Sequence, residues 1–307
     1  MKNAKIIMLF IVFVGVVIYL AFNWQILIKK IQTQLEFRPL FRLPVKTEFV
    51  KTKGEAAPMA TSVAAIATSA SEIPDYLIPL GFKREELSSY FQKIRISSVS
   101  PSSWSSYPAS LRLYSYIQKG ESINITGWKI KSNQRSFEIF KSIDIYRLEG
   151  PFDETDIILP QNGSLTIYGA KNPFNKNLRL NKCSGYLNNL YDFNPDLPRN
   201  CPLISRESYK NLSGECQSYI MSLGSCEIPS ADNYNSFPGT DQGNTCRAYL
   251  NTISYGNCFN KYRNDGDFLL NEWWLWIDKN TFDIFDLRHD AVRLFDKEGK
   301  LVDQYVY

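Results

Sequence analysis

Apolar and polar residues alternate along several short runs of the chain, and a period of two is the signature of strands. KIRISSV (Lys93 to Val99) opens the series. LRLYSYI places Leu111, Leu113 and Ser115 on one face and Arg112 and Tyr114 on the other. After the turn residue Gly120, SINITGWKIKS (Ser122 to Ser132) sets Ile123, Ile125, Gly127 and Lys129 against Trp128 and Ile130. SFEIF, TDIILP and SLTIYGA follow, the last two around Asn162 and Gly163. Near the C-terminus EWWLWID, AVRLFD and LVDQYVY return to the same pattern, and KEGK joins the last pair as a hairpin. Short, regularly spaced strands predict an all-β protein, an antiparallel β-sandwich.

Between these two groups of strands the period changes. SRESYKNLSGECQSYIMSLGSC spaces Tyr219, Ile220 and Leu223 as a helix does, and TCRAYLNTISYGNC does the same with Tyr249, Leu250 and Ile253. Two short helices are expected, separated by a long polar loop, SADNYNSFPGTDQGN. The closing strands need partners that lie before this segment, so a sandwich with a small α-helical insertion explains the order better than two sequential domains.

The N-terminus carries a third pattern. Ile6 to Phe22 is apolar without a charge or proline, and Trp24 to Ile28 lengthens the run before Lys29 and Lys30. That length spans a bilayer, and with no small-residue cleavage site at its end it reads as an uncleaved signal anchor, an N-terminal transmembrane helix. A juxtamembrane stalk follows, broken by Pro39 and Pro44, and then a flexible tether from Lys51 to Ser71, rich in Ala, Ser and Thr. Glu85 to Ser89 permit one or two helical turns before the first strand. The expected organisation is a cytoplasmic flank and transmembrane helix over 1–30, stalk and linker over 31–75, the first part of the sandwich over 76–170, the insertion over 171–270 and closing strands over 271–307.

Composition supports a sizeable core, with 44% apolar, 14% aromatic and 21% charged residues. A net charge of +4 is mild for 307 residues, and basic residues gather before the folded part, so nucleic acid is not expected as a partner. The cysteines change the picture more. Cys183, Cys201, Cys216, Cys226, Cys246 and Cys258 are confined to 76 residues and spaced without any Cys-x-x-Cys pair, and the chain has one histidine, His289. Zinc sites need closer ligand pairs, so disulfide bonds are expected, with fifteen pairings open. The charges flanking the span would put the C-terminal bulk inside, since more Lys and Arg follow it than precede it. Six clustered cysteines outweigh them and place a single-pass membrane protein with its C-terminal domain extracellular, outside the cytoplasm.

An opening strand, ITGWKIKS (Ile125 to Ser132) and the closing HDAVRLFDKEGKLVDQYVY (His289 to Tyr307) together resemble the lamin-tail domain. The match covers about 115 residues, Lys93 to Ala170 and Asn271 to Tyr307. The resemblance implies an immunoglobulin-like fold and a non-catalytic binding or scaffolding role, and supplies no catalytic residue. CSGYLNNLYDFNPDLPRNCP and the helices after it look like an insertion found in some anchored bacterial relatives. The motif residues have structural readings here: Gly127 for a turn or close packing, Trp128 for a core anchor, Gly299 for the hairpin turn.

Catalytic chemistry has little to draw on. Any Ser-His-Asp or Cys-His arrangement must use His289, which sits at a turn into a strand. Glu272, Asp278, Asp283 and Asp286 flank the EWWLWID run, where carboxylates more often solvate strand ends than act as glycosidase acids. RNDGD (Arg263 to Asp267) and ADNYN (Ala231 to Asn235) are oxygen-rich but read as turns. No enzyme, metal or cofactor is expected. Aromatic residues are the better lead: Trp274 and Trp276 fall on one strand face and Trp273 on the other, and either the insertion covers the second face or it is free to stack on a partner. The candidate aromatic binding surface is Tyr186, Tyr191, Phe193 and Trp273. The leading expectation is a membrane-anchored binding module for a protein at the cell surface, and the alternative is a carbohydrate-binding module for envelope polysaccharide; the sequence sets no oligomeric state.

Overall fold

Strands form where the alternation predicts them, and the computed structural model describes residues 73–102, 108–148, 152–173, 175–277 and 284–307. The transmembrane span expected at 6–22, the stalk and the tether lie outside the described residues. Among the described residues, no helix is long and apolar enough to cross a membrane.

In chain order the strands are β1 (Ile94–Ser100), β2 (Ser110–Ser115), β3 (Ser122–Asn124), β4 (Lys129–Lys131), β5 (Ser136–Glu138), β6 (Ser142–Ile143) and β7 (Glu154–Thr155). Next come β8 (Ile158–Pro160), β9 (Ser164–Tyr168), β10 (Leu178–Asn181), β11 (Leu269–Trp276), β12 (Ala291–Phe295) and β13 (Leu301–Val306). They form a seven-stranded sheet in the order β1-β2-β9-β11-β10-β6-β7, a four-stranded sheet β13-β12-β4-β5 and the pair β3-β8. The run SINITGWKIKS is therefore two strands in two sheets. Gly127, at φ +81, turns the chain between them, and its amide donates to the Ile139 carbonyl (2.7 Å). A switch of sheets at a glycine is a usual way to make the corner of a layered β fold.

One core fills the space between the large sheet and the two smaller ones. Ile94, Leu111, Leu113, Leu165, Ile167 and Leu275 meet Ile130, Val292, Leu294 and Val302 there, with Trp128 buried among them. The 87–96 stretch ties the layers together at the β13 edge. Ser88 and Gln92 donate to the carbonyls of Leu301 (2.8 Å) and Val302 (2.9 Å), and the Ile96 amide donates to Asp303 Oδ2 (2.7 Å). A sheet edge covered in this way presents fewer unpaired groups to other chains. The β12–β13 hairpin is as expected: Gly299 takes φ +78, and the buried Asp296 carboxylate accepts the amides of Glu298 and Lys300, each at 2.9 Å.

Two pairings depart from the antiparallel expectation, β9 with β11 and β10 with β6, both parallel. Parallel neighbours need a long crossover, and the excursion between β10 and β11 supplies it for β9 and β11. That excursion begins later than residue 171, because LRLN forms β10 and pairs with β11, Leu178 opposite Trp274 and Asn181 opposite Leu269. The remainder, Lys182 to Phe268, is a cap on the outer face of the large sheet. It holds α1 (Gly214–Ser222), α2 (Ala231–Ser236), α3 (Asp241–Leu250) and α4 (Tyr255–Tyr262). Four helices thus stand where two were expected. The polar loop contains α2, and a break at Asn251 to Ser254 divides the second predicted helix into α3 and α4. The local cause is capping, since Ser213, Ser230, Thr240 and Ser254 each accept an amide hydrogen bond at a helix start.

Candidate functional site

The cap's helices are short and poor in strong helix formers, so packing and cross-links hold them rather than propensity. Cys183–Cys258 ties the 3-10 turn Ser184–Asn189 to α4, Cys216–Cys246 ties α1 to α3, and Cys201–Cys226 ties an irregular segment to the loop after α1. All six cysteines are therefore in disulfides, one pairing out of the fifteen, and this is the chemistry of an oxidising compartment.

The even-numbered tryptophans of β11 seat the cap. Trp274 and Trp276 face Leu178, Leu180, Phe193 and Leu187 in a second core, whereas Trp273 and Leu275 point into the first. An aromatic seam continues this core. Phe193 packs on Trp276 with ring centroids 5.7 Å apart, and Tyr191 meets Tyr146 edge to face at 6.3 Å with their hydroxyls 2.7 Å apart. Tyr255 donates to the Tyr146 carbonyl (2.7 Å), and burial pushes the phenols of both Tyr146 and Tyr255 well above the ordinary value. These are neutral hydroxyls holding the cap to the sheet.

The expected aromatic surface is corrected by this packing. Tyr186, Phe193 and Trp273 are buried at 6%, 3% and 2% exposure, and Tyr191 is half-buried. Trp273 is moreover on the opposite side of the sheet from the other three, so the four do not form one platform. The cap folds back over Tyr186 and Phe193, while Trp273 lies in the core between the sheets. Gly127, Trp128 and Gly299 occupy the structural positions described above. A Cβ on Gly127 would meet Lys297 Cε at 3.1 Å.

The polar candidates are also accounted for. His289 is exposed at a turn, where its amide donates to Asp286 Oδ1 (3.2 Å); that carboxylate also accepts the Arg288 amide (2.8 Å). Backbone donation from Arg288 and His289 lowers the Asp286 pKa. Glu272 accepts the Trp274 indole N–H at 3.0 Å, while Asp278 and Asp283 lie outside the described residues. In RNDGD, the Lys182 ammonium bridges Asp265 and Asp267 and occupies the oxygen cluster itself. ADNYN forms α2. Among the described residues no group of His, Cys, Asp and Glu is placed to hold a metal ion.

What the structure does expose is a strap that the sequence reading passed over. Pro202, Leu203 and Ile204 run without helix or strand from the Cys201–Cys226 bridge, and Leu203 is 84% exposed. Among the described residues, the backbone N–H and C=O groups of Leu203 and Ile204 make no hydrogen bond. A shallow groove flanks the strap on each side. One, of about 260 Å³, is lined by Tyr249, Ile253, Asn257, Lys261 and Tyr262; the other, of about 200 Å³, by Tyr209, Ile220, Met221 and Leu223. Tyr186 reaches both. Burial raises its pKa, with Tyr262 and Tyr249 adding to the effect, so it offers a neutral hydroxyl. The sequence signal was slight, an apolar Pro-Leu-Ile directly after a cysteine. Comparison of the chain with protein-family models and with curated proteins finds no match.

Proposed function

We propose that the chain is a membrane-anchored, extracytoplasmic binding module without catalytic activity, in which an immunoglobulin-like sandwich of lamin-tail type carries the disulfide-braced cap as its recognition element. The observation that carries this reading is the exposed strap: an apolar side chain at 84% exposure, backbone groups without partners, and a groove on either side, all fixed by a disulfide. An extended segment of a partner protein suits it, pairing its backbone with Leu203 and Ile204 and setting side chains into the groove along the paired edge. Each groove is smaller than the roughly 300–1,000 Å³ usual for small-molecule pockets. Among the described residues Lys261 is the single charge in either lining, which further favours a neutral, apolar peptide. The direction of the anchor rests on the disulfides, and the span itself on the apolar run from Ile6 to Phe22.

A photo-reactive residue at position 203 of the full chain, in the cells that make it, tests the proposal. A discrete protein adduct is expected from 203 and none from the exposed position 215 on α1. Leu203→Ala in the same chain, with the photo-reactive group moved to position 221, should weaken the adduct without changing thermal stability. No adduct at 203, or the same adducts from 215, overturns the proposal.

A further inference from the structure

On the side of the sandwich away from the cap, a cleft of about 730 Å³ opens beside Gly127 and the β12–β13 turn. Lys129, Lys131, Lys141 and Lys297 line it, with Glu138, Asp156 and Asp296 as the acids. The lining therefore sets four cations against three acids, and the acids are engaged in different ways. Asp296 is buried and taken by the turn amides, and Asp156 accepts Asn124 Nδ2 at 2.7 Å. Glu138 stands opposite Lys129 across β4 and β5, but among the described residues none of the four lysines makes an ion pair.

A second observation has the same sense. Lys131 is directly opposite Arg293 across β4 and β12. Like charges at that position destabilise a sheet, and among the described residues neither side chain makes an ion pair: Arg293 Nε donates to Gln304 Oε1 (3.2 Å), and its guanidinium lies 5.9 Å from the Phe82 ring. A sheet that keeps a repulsive pair beside three further unpaired lysines has a surface arranged for an anion. Across β5 the cleft continues into another of about 600 Å³, which shares Lys129 and Glu138 and adds Arg135 and Phe140, the latter 56% exposed.

We infer that this double cleft binds an acidic polysaccharide, the lysines taking the carboxylate or phosphate groups and Phe140 offering a ring face to a sugar. Same-face residues of a strand lie about 6.6 Å apart, so Lys129 and Lys131 present a repeat of charge suited to a chain rather than to a single ion. The concave form and the single exposed aromatic favour a polymer over a membrane surface, where docking needs a broader apolar face.

The test uses purified full chain and immobilised polygalacturonate, with neutral dextran and anionic-lipid vesicles as the other arms. Binding to polygalacturonate alone is expected, weakening as salt rises. Lys129→Ala/Lys131→Ala should lower the affinity at least tenfold, and Phe140→Ala severalfold, whereas Lys210→Ala on the cap leaves it unchanged. Lys131→Ala removes the like-charge pair with Arg293 while Lys129→Ala removes the cross-strand neighbour of Glu138, so the double variant should melt close to the parent, which separates lost binding from lost folding. Absence of binding, equal binding to vesicles, or an unaltered double variant overturns the inference. None of these outcomes bears on the strap, which is on the opposite side of the large sheet.

Discussion

Removing the outermost brace, with Cys183→Ala/Cys258→Ala, tests whether cross-links rather than packing hold the cap. The two cysteines are 75 residues apart, but the inner bridges shorten the loop that the bond closes. With Cys201–Cys226 and Cys216–Cys246 intact, the shortest path runs from Cys183 to Cys201, across to Cys226, back to Cys216, across to Cys246 and on to Cys258, about 40 residues in all. Loop-closure entropy for that length is about 13 cal/mol/K, or about 4 kcal/mol at 25 °C. Urea denaturation followed by tryptophan fluorescence reads it directly, because Trp274 and Trp276 lie in the core that the cap covers. With a slope of about 2 kcal/mol/M, the midpoint should fall by about 2 M. A loss below about 1 kcal/mol would mean instead that the aromatic seam on β11 holds the cap unaided.

Two further outcomes are expected. Burial raises the pKa of Asp303 despite its hydrogen bonds from the backbone amides of Ile96 and Gln304. A carboxyl raised on folding costs stability that is absent below its ordinary value and in full force above its folded one, so Asp303→Asn should be neutral in acid and progressively stabilising as pH rises through that window, read from melting temperatures across pH 3 to 7. Gly243 sits in the first turn of α3, where a Cβ would lie 1.9 Å from the Pro238 carbonyl oxygen. Gly243→Ala should therefore cost about 1–3 kcal/mol by overpacking, measured by the same urea titration.

The strands were legible because burial in a sheet imposes a period of two, and Leu111, Leu113, Ile94 and Ile96 follow it without exception. The split of the tryptophans was legible for the same reason. Which sheet a strand joins was not, since the chain changes sheets between Asn124 and Lys129 through one glycine conformation that alternation does not record. The parallel pairing of β9 with β11 depends on where an excursion of almost ninety residues returns. The extra helices had a readable signal in Ser230, Thr240 and Ser254, hydroxyls placed to cap. The aromatic platform failed because composition counts rings without showing what folds over them; Tyr186 and Phe193 are covered by the same cap that carries them. The strap is the converse case, where an ordinary Leu203 acquires meaning only from the disulfide that leaves it exposed.

The placement of the cap in an oxidising compartment is tested by the state of the six thiols in living cells. Cells producing the full chain are quenched with an alkylating agent, and the chain is then mapped without reduction. No alkylated cysteine is expected, and the linked pairs are 183–258, 201–226 and 216–246. Six alkylated cysteines would instead place the cap in a reducing compartment and rule out the extracytoplasmic orientation.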